Sequence, residues 1–321
     1  MADRLRVLEL FCGIGGCAAA LGERADIAAA VDINQIALSV YRHNFPTAPI
    51  HVRTIESMSA EWYRDQAADL WWLSPPCQPY TSRGRQLDLS DQRAQALRAV
   101  IERIAEVRPR YIALENVAGF CGSQSHRRLR AMLDACGYQV REQVLCPTQL
   151  GVPNRRRRFY LVAAANGSLG DGKDECPWDS PVPQHLRFPV QQILDTEPEE
   201  ALWMPADFRE QYRGAVHVVD AEDACAETHC FTSSYGGSVV RSGSYLAHAA
   251  GVRRFSPSEI LRLLCFPRRY RLPEDLPLRK AWQLVGNSLA VAAVRHVLAA
   301  IPELRDAEVP DPPDIPDPHR S

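Results

Sequence analysis

The chain has 321 residues, of which 46% are hydrophobic and 24% are charged, and its formal net charge is −2 at pH 7. A chain of this length can bury a full core in one large domain, or in one domain that carries a smaller insertion. The composition excludes a largely disordered chain, and the near-neutral charge argues against a protein that coats nucleic acid through its overall charge.

Short apolar runs alternate with helical patterns from residue 5 to about 165, which is the order of βαβ units around a mainly parallel sheet. The predicted strands are 6–11, 27–32, 69–74, 111–115 and 159–164. Two segments between them, 33–43 and 93–107, carry apolar residues at helical spacing and are predicted as crossover helices. The first half of the chain therefore predicts an α/β fold.

A glycine-rich loop follows the first predicted strand. The sequence there is Phe11-Cys12-Gly13-Ile14-Gly15-Gly16, and Asp32 ends the second predicted strand. Glycines let a backbone turn tightly and approach a ligand, and an acid about twenty residues further on can bind ribose hydroxyls. The G-x-G-G spacing differs from that of dinucleotide sites and leaves adenosine-type ligands such as S-adenosylmethionine. A tight strand-to-helix turn without a ligand is the structural alternative.

A proline-rich loop with a cysteine follows the third predicted strand. Residues 73–80 are Leu-Ser-Pro-Pro-Cys-Gln-Pro-Tyr, so three prolines flank Cys77. A single cysteine is ordinarily an inert core residue, but this loop leaves the sheet edge where α/β proteins bind ligands. The context predicts a positioned thiol. The polar segment 82–86 contains Gly84 and is predicted to move as a lid over a bound base.

The regular pattern ends after residue 165. Residues 166–250 are rich in glycine, proline and polar side chains, which predicts a small irregular domain or an insertion. Order returns at Ser256-Pro257-Ser258-Glu259, a capping box with proline at the first helical position. A last helix is predicted after Gly286 and is expected to pack on the first domain. The tail, residues 306–321, is predicted to be disordered.

Five motifs occur in the order found in the cytosine-5 methyltransferase family. They are Phe-x-Gly-x-Gly-Gly, Pro-Pro-Cys-Gln-Pro, Leu114-Glu115-Asn116-Val117, Arg156-x-Arg158 and Gly286-Asn287-Ser288. The chain resembles this family over residues 5–165 and 252–301. The resemblance implies a Rossmann-like, S-adenosylmethionine-dependent catalytic domain with helices on both faces of the sheet, formed by residues 1–165 and completed by residues 251–305. It also implies a target-recognition domain at 166–250.

The resemblance further implies a covalent mechanism. Cys77 is expected to add as a thiolate to C6 of cytosine, which makes C5 nucleophilic enough to accept a methyl group. Glu115 is expected to act at N3 of the base, and Arg156 and Arg158 to hold the base carbonyl or a phosphate. An acid that merely caps the next turn is the alternative reading of Glu115. The thiol reaches C6 only if the base is flipped out or already unpaired.

The resemblance also assigns residues to the cofactor, S-adenosylmethionine, whose product is S-adenosylhomocysteine. The glycine loop is expected to surround it, Asp32 to bind its ribose, Ile55 and Glu56 to meet the adenine, Ser74 to flank the methionine part, and Asn287 and Ser288 to close the pocket. The loop residues concerned are Phe11, Gly13, Ile14, Gly15 and Gly16. No metal is expected, because the cluster Cys225, His229 and Cys230 fits no common zinc pattern.

Four departures from the DNA-modifying members point to RNA as substrate. Asn154 stands where those members usually carry Gln, Tyr80-Thr81 and Gly84-Arg85-Gln86 follow the nucleophile, Cys230-Phe231-Thr232 precedes a Ser-Tyr-Gly-Gly-Ser run, and the recognition segment is short. The chain therefore resembles most the tRNA cytosine-5 methyltransferase branch, and a cytosine in the anticodon loop of aspartate tRNA is the expected target. A DNA cytosine-5 methyltransferase and an inactive nucleic-acid-binding module are the alternatives.

The remaining expectations concern location and partners. No apolar run long enough to span a membrane and no export signal are visible, so we expect a cytoplasmic protein without membrane contact. The ten cysteines are scattered along a long chain, which favours reduced thiols. We expect a monomer that binds its nucleic acid through local arginine patches such as 155–158 and 268–271.

Overall fold

The computed structural model describes residues 4–77, 80, 95–165, 169 and 188–305. The chain divides into two compact units. Of the described residues, unit 1 contains those within Met1–Leu145, Arg157–Ser180 and Val294–Ala307, and unit 2 contains those within Cys146–Arg156 and Pro181–Ala293. The predicted lid at 82–86 and the predicted disordered tail at 306–321 lie outside the described residues. Within those residues, no helix is both long and apolar enough to cross a membrane.

Twelve strands and nine α-helices succeed one another in the described part of the chain. The strands are β1 (Leu5–Leu10), β2 (Ala25–Asp32), β3 (Ile50–Val52), β4 (Leu70–Leu73), β5 (Tyr111–Val117), β6 (Tyr138–Leu145), β7 (Asn154–Arg155), β8 (Arg158–Ala165), β9 (His217–Asp220), β10 (Thr228–His229), β11 (Ser244–His248) and β12 (Gly251–Arg254). The helices are α1 (Gly16–Leu21), α2 (Gln35–Asn44), α3 (Ala60–Asp65), α4 (Gln95–Val107), α5 (Gln124–Ala135), α6 (Phe208–Gln211), α7 (Pro257–Leu263), α8 (Leu278–Gly286) and α9 (Val291–Leu298).

Unit 1 is built on a seven-stranded sheet with the order β3-β2-β1-β4-β5-β8-β6. Strands β3, β2, β1, β4 and β5 run parallel, and β8 is antiparallel to both β5 and β6. This order is that of a doubly wound sheet, which confirms the predicted α/β class. All five predicted strands are present. The fifth predicted strand is β8, which is antiparallel although the sequence predicted a mainly parallel sheet. It follows β6 closely in the chain and pairs with it, and antiparallel pairing needs no crossover helix.

The core of unit 1 explains why these segments form strands and helices. Strand β4 has the sequence Leu-Trp-Trp-Leu and is buried throughout, as expected for a central strand covered on both faces. Trp71 from this strand stacks on Tyr63 of α3, with ring centroids 4.8 Å apart. Helix α4 buries the apolar residues at helical spacing, which are Leu97, Val100, Ile101 and Ile104, in the same core cluster. The helical spacing in the sequence is therefore the face that packs on the sheet.

Unit 2 has short strands and a core rich in aromatic and polar side chains. Strands β12, β11 and β9 form one small sheet, and β10 pairs with β7. The buried Tyr235 hydroxyl donates to the carbonyl of Ser244 at 2.6 Å and accepts the N–H of Phe255 at 3.0 Å. The indole N–H of Trp282 donates to the carbonyl of Phe255 at 2.9 Å. Side chains therefore satisfy backbone groups that lie outside regular ladders.

The predicted capping box is present at the start of α7. The Ser256 hydroxyl accepts the N–H of Glu259, and the Glu259 carboxylate accepts the N–H of Ser256. The same carboxylate forms a bidentate ion pair with Arg253 of β12, at 2.7 and 2.8 Å. The start of α7 is thus tied to the small sheet by a charged pair that is fully buried.

The boundaries of the compact units differ from the predicted domain boundaries. The predicted domain division stays a prediction. Helices α7 and α8 belong to unit 2, and α8 was not predicted from the sequence. The segment Val294–Ala307 belongs to unit 1. There Arg295 of α9 donates to the carbonyl of Ala20 at 2.9 Å, and the Tyr111 hydroxyl donates to Glu303 at 3.0 Å. These bonds attach the C-terminal segment to the first unit, as expected.

Candidate active site

The glycine loop lies between β1 and α1, at the carboxyl edge of the unit 1 sheet. Phe11, Gly13 and Gly15 have φ angles of 58°, 53° and 85°. Glycine adopts such angles freely, whereas Phe11 is strained in this region. A Cβ atom on Gly15 would also approach a ring carbon of Phe45 to 2.9 Å. The tight turn of the loop therefore requires glycine at this position.

Asp32 ends β2 and connects that strand to the glycine loop. Its Oδ2 accepts the N–H of Gly13 at 2.9 Å, and its Oδ1 accepts the N–H of Asn34 at 2.9 Å. A carboxylate offers about four lone-pair positions, so each oxygen can accept a further donor. The geometry is compatible with the predicted binding of ribose hydroxyls.

An exposed apolar surface adjoins Asp32 and was missed in the sequence. Among the described residues, the exposed large apolar side chains are Ile33, Ile36 and Val52, with exposures of 66%, 41% and 49%. Ile33 follows Asp32 directly, and Val52 of β3 is level with Asp32 in the sheet register. Such a surface suits the flat face of a purine. The signal in the sequence was an apolar residue placed just after the strand, ahead of the polar cap of α2.

The other predicted cofactor residues of unit 1 differ in accessibility. Ile14 and Gly16 are buried behind the loop, and Ile55 is buried in the main core at the start of a short 3-10 turn. Glu56 beside it is exposed. Ser74 follows β4, and its hydroxyl accepts the indole N–H of Trp72 at 2.8 Å. Glu56 and the partly exposed Phe11 and Gly13 thus offer more surface to a ligand than Ile55.

Cys77 is half-buried in the loop after β4. The N–H of Ser74 donates to the carbonyl of Leu10 at 3.3 Å, so this loop and the glycine loop leave neighbouring strands where the strand order reverses, a common ligand position. The Asn116 side chain donates to the carbonyl of Pro75 at 3.0 Å, and the N–H of Tyr80 donates to the carbonyl of Cys77 at 2.9 Å. These bonds anchor the backbone on both sides of the thiol. The positioning role of Asn116 was not predicted.

Glu115 and Arg158 form an ion pair on neighbouring strands. Arg158 Nε lies 3.2 Å from Glu115 Oε1, and both side chains are largely buried. Glu115 follows Leu114, which is level with Leu73 at the end of β4. Arg158 begins β8 at the same edge, because β8 runs opposite to β5. The structure therefore brings the loop of Cys77 to the same sheet edge as Glu115 and Arg158.

Arg156 lies in unit 2 and is buried there. Its Nη1 donates to the carbonyls of Phe231 at 3.1 Å and Gly286 at 3.3 Å, and its Nη2 donates to the carbonyls of Gly286 and Ser288. Its Nε has no hydrogen-bond partner among the described residues. The guanidinium therefore holds the 230–232 segment against the end of α8, and its predicted contact with substrate stays a prediction.

The Gly286-Asn287-Ser288 motif ends α8 within unit 2. A Cβ atom on Gly286 would lie 2.3 Å from the carbonyl carbon of Thr232, so only glycine fits this close approach. Asn287 is exposed. The hydroxyl of Ser288 is buried and lacks a hydrogen-bond partner within the described part of the chain. A buried hydroxyl of this kind fits a polar ligand group.

The residues weighed as a zinc cluster lie in unit 2. Cys225 and His229 are exposed, and Cys230 Sγ lies 3.4 Å from Nη1 of Arg156. Across the described residues, no group of three or more His, Cys, Asp or Glu side chains is arranged to hold a metal ion.

Known proteins are similar to this chain over nearly its full length. The model of the family described as C-5 cytosine-specific DNA methylase matches residues 5–212 and 209–303. A Schizosaccharomyces pombe protein named tRNA (cytosine(38)-C(5))-methyltransferase is 32% identical over 94% of this chain and 97% of its own length. A Dictyostelium discoideum protein named DNA (cytosine-5)-methyltransferase is 27% identical over 93% of this chain and 94% of its own length.

Solved structures show the same likeness. The crystal structure of a Spodoptera frugiperda DNMT2 mutant matches with a TM-score of 0.81 at 28% identity, covering 92% of this chain and 99% of that chain.

Proposed function

The chain belongs to the C-5 cytosine-specific DNA methylase family, and on that premise we propose that it transfers a methyl group from S-adenosylmethionine to C5 of cytosine in tRNA. The main support for this chemistry is that three groups lie at one sheet edge of unit 1. That edge bears the loop of Cys77, the Glu115–Arg158 ion pair and the glycine loop tied to Asp32. A nucleophile, a group for the base and a nucleoside site thus share one edge.

Cys77 supplies the nucleophile. Its thiolate adds to C6 of cytosine, so a sulfur–carbon bond forms and the electron pair of the C5–C6 double bond becomes available at C5. After C5 has gained the methyl group, loss of the C5 proton and cleavage of the sulfur–carbon bond restore the aromatic ring and the free thiolate. The anchors at Pro75 and at the Cys77 carbonyl hold the thiol for this addition.

Glu115 acts at N3 of the pyrimidine ring during that addition. Negative charge that develops on the pyrimidine as sulfur adds is relieved by a hydrogen bond or a proton at N3, which a carboxyl group can supply. The ion pair with Arg158 at 3.2 Å fixes the direction of the carboxyl group. Arg158 is therefore a positioning residue for Glu115 in this mechanism.

The residues near the glycine loop fit S-adenosylmethionine, which when bound supplies the methyl group of its sulfonium. Asp32 retains acceptor capacity for the ribose after binding the loop, and Ile33 and Val52 offer an apolar face for the adenine. Gly13 and Gly15 bring the backbone close to the ligand. For Asn287 and Ser288, which lie in unit 2, a contact with the cofactor stays a prediction.

The choice of tRNA rests on the chain's own branch motifs and on its relatives. Asn154 is buried, and its amide donates to the Thr228 hydroxyl at 2.9 Å and to the carbonyl of His229 at 3.3 Å. This residue thereby holds the strand that leads into Cys230-Phe231-Thr232. The Schizosaccharomyces pombe relative is named for cytosine 38 of tRNA, a position in the anticodon loop. A loop cytosine is already partly unstacked, so its presentation costs less than flipping a paired base.

The finer proposal is a cytosine in the anticodon loop of aspartate tRNA. The second candidate substrate is DNA, which the name of the Dictyostelium discoideum relative favours. Incubation with labelled S-adenosylmethionine and equal amounts of total tRNA and genomic DNA separates the candidates. We expect label in tRNA, and bisulfite sequencing to place it in one anticodon loop.

The controls of this experiment also test the inactive alternative. Cys77→Ser keeps a small polar side chain and should transfer no label. Label in DNA at a fixed short sequence, with tRNA cytosines untouched, would transfer the conclusion to the DNA branch. Absence of label from both, with normal binding of tRNA, would identify a nucleic-acid-binding protein without methyltransferase activity.

A further inference from the structure

Two histidine rings stack face to face in unit 2. His217 of β9 and His229 of β10 have ring centroids 3.8 Å apart and planes inclined by 11°. One hydroxyl anchors both residues, because Ser244 Oγ accepts the N–H of His229 at 2.8 Å and lies 2.8 Å from Nδ1 of His217. The stack is therefore held in one orientation by β11.

The outer ring of the stack is accessible and lies beside a cation. His229 is exposed, whereas His217 is half-buried. In the register of β10 and β7, His229 is level with Arg155. The Arg155 side chain is 63% exposed, and its Nε lies 2.6 Å from an oxygen of Glu227. A guanidinium has five donors, so the two Nη groups retain donors for another acceptor.

The surroundings of both rings favour the neutral imidazole. Burial lowers the pKa of His217, with His229 and Arg155 contributing in the same direction, and burial followed by Arg155 lowers the pKa of His229. Two charged rings at this separation would repel each other. A neutral stacked pair instead offers an aromatic face of the kind on which nucleobases stack in proteins that bind single strands.

The position of the stack connects it to the substrate-related segments of unit 2. Arg155 precedes Arg156, and His229 precedes Cys230. Arg156 and Cys230 meet, with 3.4 Å between Nη1 and Sγ. Arg155 is thus adjacent in the chain to Asn154, and His229 is adjacent to Cys230-Phe231-Thr232. These are the residues that indicate the tRNA branch.

We propose that the His217–His229 stack and Arg155 bind one unpaired nucleotide of the RNA that carries the target cytosine. The base stacks on His229, and Arg155 binds the phosphate of the same nucleotide or of its neighbour. This inference rests on the proposed function, because it names a substrate contact of the same enzyme. Unpaired RNA is favoured over duplex DNA because a base inside a duplex has no free face.

The first test removes the outer ring. His229→Ala should raise the KM for tRNA roughly 10-fold, the scale of one lost base stack, with kcat and the affinity for S-adenosylmethionine within about 2-fold of wild type. His229→Phe keeps a stacking ring and should restore KM to within about 3-fold. His248→Ala is the matched control, since His248 is also an exposed histidine of unit 2 that contacts an aromatic ring, that of Trp203.

The second test couples the protein to the RNA. A stem-loop substrate carries an abasic site at each loop position in turn, and one position should raise the wild-type KM roughly 10-fold. At that position, His229→Ala should add no further loss, because the ring and the base form one contact. Arg155→Ala should reduce the slope of log KM against log salt by roughly 0.7, as for one phosphate of a single strand.

The outcomes separate this inference from the proposed function. A wild-type enzyme that methylates DNA and no RNA overturns both. A wild-type enzyme active on tRNA overturns the inference alone if His229→Ala leaves KM unchanged, if His229→Phe fails to rescue a folded variant, or if His248→Ala has the same effect. If His229→Ala has no melting transition and is therefore unfolded, His229→Phe and the abasic series decide. An equal increase in KM for wild type and His229→Phe at one abasic position supports the stack. No increase in KM at any position contradicts it.

Discussion

The two compact units satisfy their backbone polar groups in different ways. In unit 1, the backbone N–H and C=O groups of the strands pair within a seven-stranded sheet, and Cys77, Glu115 and Arg158 stand near strand ends or in a loop. In unit 2, the strands have two to five residues, and side chains such as Arg156, Tyr235 and Trp282 bond to backbone carbonyls.

Because of this difference, substitutions in the two units should affect activity and stability to different extents. Residues at a sheet edge can change without altering the ladders and apolar core that hold the sheet, so we expect unit 1 to lose activity before it loses its fold. A buried polar side chain that bonds to backbone leaves unpaired partners when it is removed. We therefore expect polar substitutions inside unit 2 to act first on stability.

The largest expected effect is on catalysis in unit 1. Cys77→Ala should reduce methyl transfer by more than roughly 10³-fold, because no other group supplies the covalent step. The midpoint of thermal unfolding and the affinity for S-adenosylmethionine should stay close to those of the wild type. Cys225→Ala, which removes an exposed thiol of unit 2, is the control and should retain activity. Turnover by Cys77→Ala at the wild-type rate would remove Cys77 from the mechanism.

The next effect is on the stability of unit 2. Arg253 and Glu259 have side-chain exposures of 2% and 0%, so Arg253→Ala leaves a buried carboxylate without its cation and should cost about 3–5 kcal/mol of unfolding free energy. Denaturant unfolding followed by circular dichroism measures it. Arg128→Ala breaks the exposed pair with Glu102 in unit 1 and should cost less than about 1 kcal/mol. Equal losses in both variants would refute the contrast between the units.

A smaller effect is expected on cofactor binding. Asp32→Ala removes acceptors for the Gly13 and Asn34 N–H groups and for the ribose, and should weaken binding of S-adenosylmethionine by about 1–3 kcal/mol. Calorimetric titration of the folded variant gives the difference. Asp26→Ala in the same strand changes an exposed acid and should bind the cofactor as the wild type does. An unchanged affinity in Asp32→Ala would exclude Asp32 from the site.

The last effect concerns an acidic residue buried in the regular sheet. Burial raises the pKa of Glu9 in β1 from 4.5 to about 7, although the Tyr41 hydroxyl donates to it at 2.7 Å. The native state therefore binds more protons than the unfolded state between these pH values. The contribution of Glu9 to stability is present below pH 4.5 and is lost as pH rises through about 7.

Glu9→Gln should flatten this decline by on the order of 1 kcal/mol per pH unit. Denaturant unfolding of the protein without cofactor between pH 5 and 8 measures the slope. Tyr41→Phe removes the hydrogen bond that favours the charged carboxylate, so it should move the decline to higher pH. Identical slopes in wild type and Glu9→Gln would show that Glu9 does not titrate in this range.

The sequence was informative where local pattern and function coincide. Apolar runs and turn residues located the five strands that carry the motifs, because a buried strand needs such a run whatever its neighbours are. The capping box at Ser256 and Glu259 was found for the same reason, since its two hydrogen bonds join residues three apart. The strands of unit 2, of two to five residues, were missed because such short segments have no period to detect. Strand β6 of unit 1 was also missed, because it lies at the sheet edge and most of its side chains are not fully buried. Strand β4 has only four residues but was predicted, because it is an unbroken apolar run.

The motifs and apolar runs were enough to predict the family, the α/β class and the candidates Cys77, Glu115 and Asp32. The three-dimensional structure was needed to show that Arg156 and Arg158, two residues apart, belong to different units. Arg156 bonds to backbone carbonyls, and Arg158 pairs with Glu115. The structure alone placed Thr232 against Gly286 and stacked His217 on His229. Contacts between residues far apart in the chain depend on how the backbone returns, and no local periodicity encodes that return.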